Sequence, residues 1–77
     1  MSENRFTWGD SVRVAETEGV RIDWRPGAIG SVCGVRRVET EQQAKLSSFP
    51  IGTVIYTVEF NDGESTQVPE EALERVE

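Results

Sequence analysis

The chain has 77 residues, 8 basic against 14 acidic, with a net charge of −6, one cysteine and no histidine. That length holds one small domain, able to bury roughly 60% of the surface its unfolded chain exposes. Without histidine there is no imidazole base, no Ser-His or Cys-His nucleophile pair and no histidine metal ligand; a lone cysteine gives neither an intrachain disulfide nor a thiolate zinc site.

Met1–Arg5 is polar with no apolar stretch behind it, so it reads as a flexible N-terminus, residues 1–5, rather than a signal peptide. The single domain then runs over 6–77, and the cytoplasm is the expected location. Trp8-Gly9-Asp10 reads as a turn into the first strand, Ser11–Ala15, where Val12 and Val14 share a face opposite Arg13. Glu16–Arg25 is polar and without period, a loop of about ten residues by its lack of pattern. Pro26-Gly27 suits a type II turn, because proline presets φ and glycine takes the positive-φ site.

Ile29–Val38 is the second strand, and its internal Gly30 and Gly34 point to a bulge or a tight bend in a curled sheet. Glu39–Gly52 reads as a long hairpin loop. Thr40 and Gln43, at capping-box spacing, leave one helical turn there as the alternative. Thr53–Phe60 alternates cleanly, with Val54, Tyr56, Val58 and Phe60 on one face, and Asn61-Asp62-Gly63 is the strongest hairpin signal in the chain. Glu64–Val68 is the returning strand, Pro69–Ala72 a single 3-10 turn, and Leu73–Val76 a last short strand.

This order predicts an all-β domain, a small five-stranded SH3-like barrel with one short 3-10 turn near the C-terminus. The expected core is Val12, Val14, Ile29, Val32, Val35, Val54, Tyr56, Val58, Phe60, Val68, Leu73 and Val76, with Phe6 or Trp8 capping one open end. Cys33 is expected to be a small buried apolar residue.

Phe6-Thr7-Trp8-Gly9-Asp10-Ser11-Val12-Arg13-Val14, then Arg25–Val32, then Tyr56-Thr57-Val58-Glu59-Phe60, resemble in order and spacing the SH3-like C-terminal domain of the nitrile hydratase β subunit. Related barrels are the small E subunit of photosystem I and the variable subunit of ferredoxin–thioredoxin reductase. The resemblance implies an accessory barrel that packs on a cofactor-bearing partner and carries no catalytic group or cofactor of its own. The first loop departs from that pattern, holding Glu18-Gly19-Val20-Arg21 where the hydratase domain has a glycine-histidine pair.

Charge is unevenly spread. Residues 1–38 carry +1 and residues 39–77 carry −7, and seven of the eight cations are arginine. Salt bridges between the halves would cancel this polarity on folding; a dipolar binding surface would keep it. Arg21, Trp24 and Arg25, with Arg36 and Arg37 across the presumed turn, form the one basic-aromatic group and are the candidate partner-binding residues. The plainer role for them is structural, with Trp24 shielding the barrel and the arginines pairing with Asp23, Glu16 and Glu18.

The expected function is a non-enzymatic interaction or accessory module, docking on a protein partner through the loops Thr17–Pro26 and Glu39–Gly52. Nucleic-acid binding by the arginines, with Trp24 stacking on a base, is the second hypothesis and is disfavoured by the net charge. A third takes Glu70, Glu71, Glu74 and Glu77 as the phosphate-like face of an inhibitor or immunity protein for a basic toxin. No membrane partner is expected.

Overall fold

The computed structural model describes residues 5–17 and 19–76. The expected flexible segment 1–5 therefore lies outside the described residues except for Arg5. Five strands form one antiparallel sheet: β1 (Ser11–Val14), β2 (Ile29–Arg37), β3 (Val54–Phe60), β4 (Ser65–Pro69) and β5 (Leu73–Arg75). Their order is β4-β3-β2-β1-β5. This is the strand order of a five-stranded SH3-like barrel, and the sheet is left open, since no ladder joins its edges β4 and β5. The 3-10 turn Glu70–Ala72 carries the chain from one edge to the other.

The two strongest turn signals form as their residues dictate. At Pro26-Gly27 the Ala28 N–H donates to the Arg25 carbonyl at 3.0 Å, with Gly27 at φ 87°. That is the positive φ of a type II turn's third residue. At Asn61-Asp62-Gly63 the Gly63 N–H donates to the Phe60 carbonyl and the Phe60 N–H to the Glu64 carbonyl. Gly63 takes φ 86° there, which makes a three-residue hairpin loop.

β2 curls the sheet. Its residues 29–31 pair with β1 while residues 30–37 pair with β3, and the register slips between Val32 and Gly34. Cys33 is the extra residue of that bulge, opposite no β3 residue, and such an insertion bends and twists its strand. Cys33 is consequently exposed, contrary to the buried position expected for it.

Val12, Val14, Val32, Val54, Tyr56, Val58, Phe60, Val68 and Leu73 form the core as expected, joined by Phe6, Trp24 and Ala72. Phe6, not Trp8, closes the barrel end; Trp8 is 72% exposed. Three expected core residues are out. Ile29 sits opposite Arg13 on the outer face, one position out of step with the inward Gly30 and Val32, and is 51% exposed. Val35 lies beyond the reach of β1, so no neighbouring strand flanks it on that side. Val76 falls after the last residue of β5. Ile55 is buried despite facing away from the main core, and so is Val38 just past β2.

Residues 39–52 contain a helix of about two turns in place of the expected hairpin loop, for which a single helical turn was the alternative. α1 spans Glu41–Ser47, with the Thr40 hydroxyl accepting from the Gln43 N–H at 3.1 Å and the Gln43 side chain accepting from the Glu39 N–H at 2.7 Å. α1 buries no residue, so it has no apolar period to reveal it; its caps hold it. No described helix is long and apolar enough to cross a membrane.

Candidate functional site

The five candidate residues do not form one cluster. Arg21 grips Asp23 with two parallel bonds of 3.1 and 3.0 Å, and its guanidinium lies 5.7 Å from the Trp24 ring centre. Arg25 turns to the β3–β4 hairpin instead, 2.9 Å from Asp62 and 3.7 Å from Glu64, and packs 4.9 Å from the Phe60 ring centre. Its backbone takes φ 63°, a left-handed conformation rare outside glycine. Arg36 and Arg37 lie at the other end of the β2–β3 ladder, opposite Ile55 and Val54, whereas Gly30 at the near end is opposite Phe60. Arg36 donates to Gln67 of β4 at 2.9 Å. Arg37, next along the strand, projects to the opposite face.

Sequence polarity is partly cancelled by the fold. Arg13 donates twice to Glu74, at 3.0 and 2.8 Å, and Arg25 reaches Asp62 and Glu64, so two arginines of the first half neutralise acids of the second. These pairs are exposed, and each contributes at most about 1 kcal/mol. The Glu64 backbone N–H, and beyond it the Arg25 guanidinium, hold the Asp62 carboxyl below the usual carboxylate range. Of the other acids expected to pair or to form an acidic face, Glu18 and Glu77 lie outside the described residues.

Trp24 takes the shielding role. It is 7% exposed, ends the 3-10 turn Ile22–Trp24, and tilts against Phe49 with ring centres 5.9 Å apart. That contact joins the two loops expected to flank one face. Between them lies a groove of about 410 Å³, with Thr17, Gly19 and Val20 along one side, Trp24 and Phe49 from the two loops, and Pro69, Glu71 and Ala72 beyond. Phe49, Pro69 and Ala72 are the groove residues that sequence reading passed over. Their only signal was an aromatic and a proline beside turn residues, which core packing and turn formation explain equally well.

A hydrogen-bonded latch lies behind the groove. The Tyr56 hydroxyl donates to Glu70 Oε2 at 2.7 Å and accepts from the Phe6 N–H at 3.2 Å, while the Arg5 N–H donates to the same Oε2 at 2.9 Å. Phe6 meets Tyr56 edge-on, with the Arg5 and Arg75 guanidinium groups 5.1 and 5.5 Å from its ring centre. Burial, reinforced by the Glu70 carboxylate, pushes the Tyr56 phenol from 10.0 up to about 12. The folded state thus favours the protonated phenol. Its contribution is full below pH 10 and is lost as pH rises towards 12. Urea titrations across that range are expected to show a loss of roughly 1–2 kcal/mol after allowance for solvent at the Glu70 end. Tyr56→Phe is expected to start about 1–2 kcal/mol less stable, with the Phe6 N–H unpaired, and to lack this alkaline loss. Equal alkaline slopes in both proteins would show that the latch does not govern it.

Compared with family models, with curated proteins and with solved structures, the chain matches none. The fold and the groove together define a small, mostly β domain, an open five-stranded antiparallel sheet with a loop-framed cleft.

Proposed function

We propose that this domain is a non-enzymatic interaction module that takes an extended segment of a protein partner into the groove between residues 17–26 and 39–52. One observation carries the reading: two loops far apart in sequence meet at Trp24 and Phe49 and leave a cleft between them and the turn after β4. An apolar floor with a few polar groups at its rim suits an extended peptide, whose side chains fill the cleft while its backbone stays at the surface. The resemblance to accessory barrels that pack on a cofactor-bearing partner supports the same reading. Trp24 serves as the floor and Arg21 as its exposed cover; Arg25 and Arg36, turned to Asp62 and Gln67, lie away from the docking contact.

Peptides selected from an unbiased displayed library against the purified domain test this. Amide shifts on titration are expected to centre on Gly19, Val20, Phe49 and Ala72. Thr17→Arg, at an exposed position, is expected to weaken binding about tenfold or more, ~1.4 kcal/mol, with little change in melting temperature. Shifts centred elsewhere, a selection with no binder, or a Thr17→Arg variant that binds like the wild type would each rule the docking face out.

A further inference from the structure

We propose that the segment this groove accepts is basic, with an apolar side chain on the Trp24–Phe49 floor and a lysine or arginine at the Glu70–Glu71 end. This rests on the docking reading above. A second depression, of about 260 Å³, adjoins the groove and is lined by Pro50, Gly52, Thr53, Val54, Glu70 and Glu71. Glu71 lines both hollows, so they adjoin at that residue as a two-part trough, one part apolar and aromatic and the other flanked by two carboxylates.

No ion pair among the described residues holds either carboxylate at that end. Both Glu70 contacts come from neutral donors, the Tyr56 hydroxyl and the Arg5 backbone N–H. Glu71 is exposed, and no side chain among the described residues pairs with it. The contrast is with the two ends of the sheet's outer surface, where Arg13 meets Glu74 and Arg25 meets Asp62 and Glu64. Arg13 and Arg25 thus form their ion pairs elsewhere, and the Arg5 and Arg75 guanidinium groups stack on Phe6, while the trough keeps two carboxylates outside any ion pair of the described residues beside an apolar floor. The half of the chain that supplies Glu70 and Glu71 carries −7. Its field adds to the local one, attracting a basic segment and repelling an acidic peptide or a nucleic acid.

Three synthetic peptides of one length test this, sharing leucine and proline positions and carrying lysine, glutamine or glutamate at the three remaining sites. Each is titrated into the isotope-labelled full chain, followed by amide shifts, at 50 mM and 500 mM salt. The lysine peptide is expected to shift Gly19, Gly52 and Ala72, to bind at least about fivefold more tightly than the glutamine peptide, and to lose that advantage at high salt. Glu71→Lys is expected to abolish the preference for lysine and to raise binding of the glutamate peptide. Equal groove binding by the lysine and glutamine peptides would overturn the basic occupant while leaving the docking face standing. Lysine-peptide shifts outside the trough, unchanged binding by Glu71→Lys, no binding by any of the three, or binding of an oligothymidylate at the same amides would also overturn it. The library selection decides the docking face separately.

Discussion

Gly30→Ala is expected to cost more than about 3 kcal/mol, or to prevent folding altogether. A Cβ at Gly30 would lie 2.5 Å from the Glu59 carbonyl oxygen, 2.7 Å from Val58 Cγ1 and 3.1 Å from the Phe60 ring. The first of these is backbone in the paired strand, held by the Ser31–Glu59 register, so it cannot swing aside as a side-chain tip does. Position 30 is also where β2 pairs with Val12 on one side and Phe60 on the other, so any relief must open one of two ladders. Gly34→Ala is the control. Its Cβ would meet only the Thr57 side chain, at 3.2 and 3.3 Å, and a small shift there limits the loss to about 1 kcal/mol. Urea denaturation of the two variants checks the contrast; a Gly30→Ala protein within about 1 kcal/mol of the wild type would refute the close approach.

Trp24→Ala is the second large effect, with an expected loss of about 3–5 kcal/mol. A domain of this size has roughly 4–12 kcal/mol in total, so much of the variant population would be unfolded near body temperature. The indole is nearly buried in the main core, leans on Phe49 and ends the 3-10 turn that frames the groove. Truncation therefore removes core packing and the groove floor together. For that reason loss of binding by Trp24→Ala says nothing about docking, and the substitution at exposed Thr17 is the proper probe. Trp24→Phe is expected to recover a large part of the stability. A Trp24→Ala protein that unfolds at wild-type urea concentrations would instead make Trp24 a surface anchor.

Much of the fold is legible because its signals are local. The alternation of Val54, Tyr56, Val58 and Phe60 needs only the two-residue period of a strand, and Pro26-Gly27 and Asn61-Asp62-Gly63 carry their own backbone preferences. Helix α1 escaped because its stability comes from caps: Thr40 and Gln43 mark its start, yet no apolar face separates it from a polar loop. Ile29 and Cys33 were misplaced for one reason. The bulge at Cys33 resets the alternation of β2, and glycines announce a bulge without saying which residue it expels.

The candidate site was half legible. Loop lengths pointed to residues 17–26 and 39–52, and these do meet. The arginines were grouped by nearness in sequence, but Arg25 is drawn to Asp62 and Arg36 to Gln67, partners 37 and 31 residues away. By itself, then, the sequence determined an all-β domain of short strands, its turns and its charge asymmetry, because composition, period and turn chemistry act over a few residues. Only the tertiary structure decided that Trp24 lies under a groove rather than on a surface, and that two halves charged +1 and −7 cancel at Arg13 and Arg25 but not at Glu71. Those outcomes depend on which distant segments the curl of β2 brings together, and no local preference encodes that.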